Sequence, residues 1–267
     1  MSKANKMIAV VFGSEADAFK GLDALKELHT QGAITLYSSA IAVKDNLDIV
    51  TMKEMEGEGP VHTLKGMGIG SLIGLLGGPA GFGIGLFAGS MAGLLLDMGN
   101  AGVDQGFIDD VSDAMRRNSV TLLAEIDEEQ EGPVDSAMEA YHGLVFRRLR
   151  KETENDQLAR EISLNIEALD HLNSELSNAD EGTKKKINTD IKETKKKLKI
   201  LQKRTDTKLT DAKREYKEKV LTLNDQLKDA KESKQAKIAE KIEALKADYT
   251  ARYAKLKEAE QTVKAAL

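Results

Sequence analysis

The side chains that commonly perform catalysis or bind metals are scattered in this sequence. The chain has no cysteine, which excludes disulfides, thiolate metal sites and cysteine nucleophiles. Its histidines lie in separate segments without the short spacing of metal ligands; they are His29, His62, His142 and His171. The sequence contains no serine–histidine–aspartate arrangement and no nucleophile elbow. We therefore predict that the protein is not an enzyme, we expect no metal and no cofactor, and we identify no small-molecule substrate.

Two weaker patterns could bind ions or phosphates, and neither predicts a site. An acidic cluster ends the strand-like segment 119–126, and its members are Glu125, Asp127, Glu128, Glu129 and Glu131. Such a run could bind a cation weakly, but we expect a solvated turn. There is no GxxxxGK[ST] sequence. Gly83, Gly85 and Ala88 match the loose dinucleotide pattern GxGxxA, but no strand precedes them and a four-residue glycine period produces such matches by accident.

Glycine recurs at every fourth position in the 31 uncharged residues between Lys65 and Asp97. The two series are Gly66, Gly70, Gly74, Gly78 and Gly81, Gly85, Gly89, Gly93, with Pro79 between them. Because residues four apart share a helix face, each series predicts a helix with a glycine stripe and apolar side chains elsewhere. Glycine costs about 0.5–1 kcal/mol inside a solvated helix. The stripes therefore predict close packing against a partner helix in apolar surroundings.

The proline divides this segment into two short arms. Proline disfavours helix at and just before its position, and a membrane-spanning helix needs about 20 apolar residues. Each arm is shorter than that. We favour a helical hairpin at 61–99, inserted into lipid from one side or buried between subunits. A single tilted span and a flexible linker are the alternatives, although linkers are polar and serine-rich whereas this segment is rich in leucine and isoleucine.

Composition divides the chain near residue 150. Residues 1–150 carry 12 basic and 21 acidic side chains, whereas residues 151–267 carry 27 and 23. After residue 150 there is one glycine, Gly182, and no proline. We predict a first domain at 1–150 and a helical arm at 151–267. No signal peptide precedes the first strand-like segment, so we expect a cytoplasmic protein associated with the inner face of the cell membrane.

The first domain has the pattern of an α+β fold. A buried strand is predicted at 7–12, a helix from Ser14 to Gly32, and strands at 34–43 and 47–55. After the glycine hairpin come an amphipathic helix around 103–115 and a strand at 119–126. This order, βαββαβ, is ferredoxin-like, with the hairpin inserted between the third strand and the second helix. A further short helix at 133–141 and an extra strand at 144–146 follow.

Several motifs of the first domain resemble an uncharacterised bacterial family. They are Val10-Val11-Phe12, Ala33 to Tyr37, Glu58-Gly59-Pro60, the Gly-Pro-centred zipper followed by Asp97 to Asp104, and Glu139 to Arg148. Members of this family are described as predicted membrane proteins containing a domain of unknown function. The resemblance covers about residues 6–150. It implies membrane association, and it brings no activity, ligand or catalytic residue.

The arm is predicted to form a helical coiled coil with a bend at 178–183. Beyond residue 209 its apolar residues follow an 11-residue period, with Leu223, Leu245 and Leu256 in one series and Ile238 and Tyr249 in the next. This period favours straight or slightly right-handed helices. A helix lying on a membrane surface is the alternative. Lys234 and Glu260 interrupt the apolar stripe, which favours a coiled coil or bundle.

A basic block lies within the arm at 184–204. The residues that we single out for contact with anionic lipid are Lys184, Lys185, Lys186, Lys195, Lys196 and Lys197. Lysine clusters attract lipid headgroups at about 1 kcal/mol per charge. A solvated coiled-coil face is the simpler interpretation. Nucleic acid is disfavoured, because the net charge is −5 and the block has no aromatic residue.

These features predict a non-enzymatic, homo-oligomeric scaffold associated with the membrane. Its glycine-zipper hairpin would enter lipid or pack in an apolar oligomer core, and the helical arm would supply assembly contacts. The alternatives are a soluble self-assembling particle that buries the hairpins between subunits, and a pore lined by glycine-zipper helices. The expected partners are other copies of the same chain and a lipid membrane.

Overall fold

The computed structural model describes residues 5–47, 49–53, 67–77, 103–149 and 154–267. The chain forms two compact units. The first comprises Met1–Glu152 and Lys217–Leu245, and the second comprises Thr153–Tyr216 and Lys246–Leu267. The first unit therefore includes residues 217–245, a segment that the sequence analysis placed in the arm.

The first unit is built on a five-stranded sheet. Its strands are β1 (Asn5–Phe12), β2 (Ile34–Lys44), β3 (Val50–Lys53), β4 (Val120–Glu128) and β5 (Leu144–Leu149). Its helices among the described residues are α1 (Glu15–Thr30), α2 (Met67–Leu76), α3 (Gln105–Ala114) and α4 (Gly132–Glu139). The strands lie in the order β3-β2-β4-β1-β5, and neighbouring strands are antiparallel.

This topology confirms the α+β, ferredoxin-like fold but assigns the elements differently from the prediction. The ferredoxin-like frame is β1-α1-β2-β4-α4-β5, with its first and third strands, β1 and β4, in the centre of the sheet. The predicted third strand, β3, is instead a short edge strand beside β2. The predicted second helix, α3, belongs to the insertion between β3 and β4, and its place in the frame is taken by α4.

Both faces of the sheet are covered, which explains why all nine residues of β4 are buried. On one face, α1 and α4 pack on a cluster that includes Phe12 and Leu122. On the other face, α2 and α3 pack on a cluster that includes Leu123. A strand buried on both sides lacks the polar–apolar alternation of a half-exposed strand. The continuous apolar runs in the sequence thus correspond to a three-layer unit.

The first helix begins and ends as its sequence predicts. Ser14 is the N-cap, and its hydroxyl accepts a hydrogen bond from the Asp17 backbone N–H at 3.2 Å. Gly32 follows the helix with φ of +64°, a left-handed conformation that favours glycine. Ser14 thus fixes the start of α1, and Gly32 lies at the turn from α1 into β2.

A bulge at Tyr37 changes which side chains of β2 face each layer. Leu36 is opposite Ile126 and Ser38 is opposite Glu125, so Tyr37 has no partner position on β4. Before the bulge, even-numbered residues face α1 and α4; after it, odd-numbered residues do. Ser38 therefore lies on the same face of the sheet as Glu125, which is the face that does not carry α1 and α4.

The second unit is a bundle formed by parts of α5 (Glu154–Asn178), α6 (Glu181–Asp229) and α7 (Glu232–Ala266). Leucine and isoleucine from these helices form one buried cluster that includes Ile162, Leu198 and Leu256. The aromatic rings of Tyr216 and Tyr249 stack with centroids 4.2 Å apart. The arm thus folds back on itself within one chain. The break between α5 and α6 lies at 179–180, where the Asp180 carboxylate caps α6.

Glu260, which interrupts the apolar stripe of the arm, lies buried between Lys257 and Lys264. Hydrogen bonds from these two ammonium groups lower the pKa of Glu260 to about 2 from 4.5. Because the folded-state pKa is the lower one, these contacts stabilise the folded state above pH 4.5, and that stabilisation is lost as the pH falls toward 2.

We therefore expect Glu260→Gln to lower the midpoint of thermal unfolding near neutral pH, and we expect this difference to shrink as the pH falls toward about 2. Thermal unfolding followed by circular dichroism over this range measures it. The exposed Glu258 on the same helix provides the control Glu258→Gln. A difference between Glu260→Gln and the wild type that does not change with pH would contradict the assignment.

Candidate functional site

The described part of the glycine zipper is α2. Its apolar face and its glycine face have different surroundings. Ile69, Leu72 and Leu75 are buried against the sheet, in the cluster shared with α3. A Cβ atom added to Gly70 or Gly74 would meet no described atom within 4 Å. The apolar face of α2 is therefore occupied by the sheet, while its glycine face meets none of the described residues.

The remaining residues of the predicted zipper lie outside the described part of the chain. They are Gly66, Gly78, Pro79, Gly81, Gly85, Gly89 and Gly93. The predicted hairpin and its packing partner stay predictions. Within the residues that the structure describes, no helix is both long enough and apolar enough to cross a membrane.

The predicted basic block lies on α6. Lys185, Lys186, Lys196 and Lys197 are exposed, whereas Lys184 and Lys195 are half-buried. The exposed lysines that follow one face of the helix are Lys185, Lys192, Lys196, Lys199 and Lys203. We call these five residues the lysine face. Its spacing presents a row of ammonium groups along one side of α6.

The sequence predicts a solvated turn for the acidic cluster at the end of β4. Only part of the cluster is solvated in the structure. Glu125, Asp127 and Glu128 are buried, and only Glu129 and Glu131 are exposed. Strand alternation places Glu125 and Asp127 on the face that carries α2 and α3, beyond the area that these helices cover. Residues 217–245 contact this polar area. In the described chain, no group of acidic or histidine side chains could hold a metal ion.

The central contact of this polar area is a buried ion pair. The Lys219 ammonium lies 2.6 Å from the Glu125 carboxylate, and the two side chains are 6% and 4% exposed. Asn5 donates a second hydrogen bond to the same carboxylate at 3.2 Å. The Lys219 ammonium also lies 5.0 Å from the ring centre of Tyr37, the bulge residue. In a second ion pair, the Lys241 ammonium lies 2.9 Å from the Asp127 carboxylate.

Gln226 connects α6 to the end of α1 and the start of β2. Its amide nitrogen donates to the carbonyls of His29 and Ile34, at 2.9 and 2.7 Å. Its amide oxygen accepts from the Thr35 hydroxyl at 2.8 Å. Burial lowers the pKa of His29, with the nearby Asp229 charge opposing the shift. The Nδ1 atom of His29 accepts the Leu36 backbone N–H at 3.1 Å, which also favours the neutral ring.

A separate ion cluster lies on the opposite face of the sheet. The buried Glu128 carboxylate accepts from the Arg147 guanidinium at 2.8 Å, and the Lys6 ammonium lies 3.2 Å away. Burial alone would lower the pKa of Lys6, but its hydrogen bonds to Glu131 and Glu128 outweigh burial and raise it. Arg147 also contacts Asp135 of α4 at 2.5 Å. These ion pairs connect β1, β4, β5 and α4. We interpret them as a network that stabilises the packing of these elements.

The sequence offered only one signal for the buried pairs. Glu125 and Asp127 alternate with the apolar Ala124 and Ile126, which places both carboxylates on the same face of the strand. Their partners follow about a hundred residues later in the chain, and Lys241 is separated from Asp127 by 114 positions. No local pattern connects two such distant residues.

The fold and these contacts define an α+β protein in which a ferredoxin-like sheet unit is combined with a helical bundle unit. Residues 63–163 match a family described as protein of unknown function (DUF1269). The match overlaps residues 6–150, the range of the predicted resemblance. It confirms that the chain is similar to a family with a domain of unknown function. No curated protein and no solved structure matches the chain.

Proposed function

We propose that the protein is a non-enzymatic, homo-oligomeric scaffold that associates with membranes. The observation that carries this proposal is the surroundings of α2. Its leucine side is buried on the sheet, while no described atom lies near the sites of added Cβ atoms at Gly70 and Gly74. A bare glycine face allows the backbone of another helix to approach closely. That helix would come from the second zipper series or from another copy of the chain.

The lysine face of α6 supports the membrane part of the proposal. Its five ammonium groups lie on one side of the helix, and at about 1 kcal/mol per charge such a row would bind anionic headgroups. Fractionation of cells, followed by carbonate and then detergent extraction of the membrane pellet, tests this part. Recovery of the protein in the supernatant before carbonate treatment would contradict membrane association.

Leucine at the two described glycines of the zipper is expected to weaken assembly. In Gly70→Leu/Gly74→Leu, the side chains would fill the space that a second helix needs, so the oligomer should dissociate at concentrations where the wild type is assembled. Light scattering coupled to size-exclusion chromatography, in detergent and without it, gives the mass of each species. Gly132→Leu is the matched control, because Gly132 is also a helical glycine with no described atom within 4 Å of an added Cβ.

A soluble self-assembling particle is the second candidate, and the packing of α2 favours it in one respect. Ile69, Leu72 and Leu75 already have an apolar partner in the sheet, so this arm does not need lipid to bury them. The same chromatography distinguishes the two candidates. A discrete large particle in the absence of detergent, with no binding to vesicles, would favour the soluble assembly.

A further inference from the structure

A cavity of about 370 Å³ lies in the first unit, between the end of α1, the turn after β4 and the first turns of α7. Three lysines of α7 line it: Lys234, Lys237 and Lys241. They are three and four positions apart, so they lie on one face of the helix. The acidic side chain that lines the cavity with them is Glu129. The lining residues therefore give the cavity an excess of positive charge.

The three ammonium groups differ in how firmly they are held. Lys241 pairs with the buried Asp127, and Lys234 donates to the carbonyl of Gln31 at the end of α1. Lys237 pairs with Glu129 at 2.6 Å, but these two side chains are 57% and 51% exposed. An ion pair this exposed contributes about 0–1 kcal/mol. Lys237 can therefore exchange Glu129 for another anion at little cost.

The rest of the lining suits a small molecule with a charged end and a less polar body. Pro133, Ile34 and Ile238 supply apolar surface. Thr35 and Gln226 also line the cavity, with their hydroxyl and amide hydrogen-bonded to each other and to the backbone. The volume lies within the range of about 300–1,000 Å³ that is typical of small-molecule sites. Lysine ammonium groups bind phosphate as point charges and tolerate several orientations of it.

We propose that this cavity binds the phosphate group of a small molecule, with Lys237 leaving Glu129 to contact the phosphate and Lys234 and Lys241 adding positive charge. The site is independent of the glycine zipper and of the lysine face of α6. Lys237 and Glu129 have opposite roles in it. Lys237 attracts the ligand, whereas Glu129 competes with the ligand for Lys237 and repels it.

Calorimetric titration of the full chain with inorganic pyrophosphate at constant ionic strength tests the proposal. We expect Lys237→Gln to weaken pyrophosphate binding by about five- to tenfold and Glu129→Gln to tighten it by a similar factor. If the pair only stabilises the fold, the two substitutions should leave pyrophosphate affinity unchanged, or change it in the same direction by loosening the site.

The exposed pair Lys228 and Asp225, 2.8 Å apart on α6, provides the matched control. Lys228→Gln and Asp225→Asn make the same changes in charge at residues that do not line the cavity, and they should leave pyrophosphate affinity within about twofold of the wild type. Sulfate, titrated in the same way, separates phosphate binding from general attraction of anions.

Vesicles containing phosphatidate, with phosphatidylcholine vesicles for comparison, show whether the phosphate comes from a lipid headgroup. Binding of phosphatidate vesicles that weakens in Lys237→Gln and strengthens in Glu129→Gln would support the site and identify lipid as the source. The proposal is overturned if neither pyrophosphate nor phosphatidate binds, or if the control variants change affinity as much as the cavity variants do.

Discussion

Replacing Lys219 with alanine is expected to lower the free energy of unfolding of the first unit by about 3–5 kcal/mol. The substitution removes the ammonium group that lies 2.6 Å from the buried Glu125 carboxylate. A carboxylate at 4% exposure has lost most of its hydration, and without the ammonium group the hydrogen bond from Asn5 compensates only part of that cost. We expect residues 217–245 to separate from β4 before the rest of the unit unfolds.

Hydrogen exchange of the β2 and β4 amides, combined with urea unfolding, locates this effect in the first unit. Lys228→Ala is the control, since the exposed pair of Lys228 with Asp225 should contribute less than about 1 kcal/mol. The double variant Lys219→Met/Glu125→Leu removes both charges and should recover most of the lost stability. Equal, small losses in Lys219→Ala and Lys228→Ala would show that Lys219 is not buried against the sheet in solution.

The strands and helices of the first unit were predictable because each one follows a local rule. The apolar run before Phe12 predicts β1, and Ser14 and Gly32 mark the two ends of α1. The division of roles between β3 and β4 was not predictable in this way. Both have the residue types of a short strand, and the sheet order depends on pairings between residues as distant as Asn5 and Asp127.

The buried ion pairs were missed because their members are far apart in the sequence. Glu125 and Lys219 each resemble many other charged residues in a chain that is 31% charged. Similarly, Lys234 was interpreted as an interruption of the apolar stripe, whereas in the structure its side chain extends over Gly32 to the end of α1. The 11-residue period predicts a helix, and it does not show which residues of that helix belong to the sheet unit.

The glycine period correctly predicted helix in the described part of the zipper, α2 (Met67–Leu76). It did not predict the partner of the apolar face. Leucine and isoleucine on a short uncharged helix suit lipid, a neighbouring subunit or the protein's own sheet equally well by composition alone. Leu72 belongs to the same buried cluster as Ala40 and Ala42 of β2, which selects the sheet for this face.

Replacing Leu72 with alanine is therefore expected to destabilise the first unit by about 2–5 kcal/mol, measured by urea unfolding of the protein without lipid. Leu72 is 0% exposed, so truncation leaves a cavity between α2 and the sheet. The control is Leu164→Ala on α5, where a side chain 65% exposed should contribute less than about 0.5 kcal/mol.

The same substitution distinguishes packing on the sheet from insertion into lipid. If the leucine face of α2 lay in a bilayer, Leu72→Ala would weaken vesicle binding and leave the stability of the lipid-free protein nearly unchanged. If it packs on the sheet, the loss appears without lipid, and amides of β2 beside Ala40 and Ala42 exchange faster. Because Gly70 and Gly74 lie on another face of α2, Gly70→Leu/Gly74→Leu should change assembly while leaving this packing intact. The two sets of variants thus assign the two faces of one helix to separate partners.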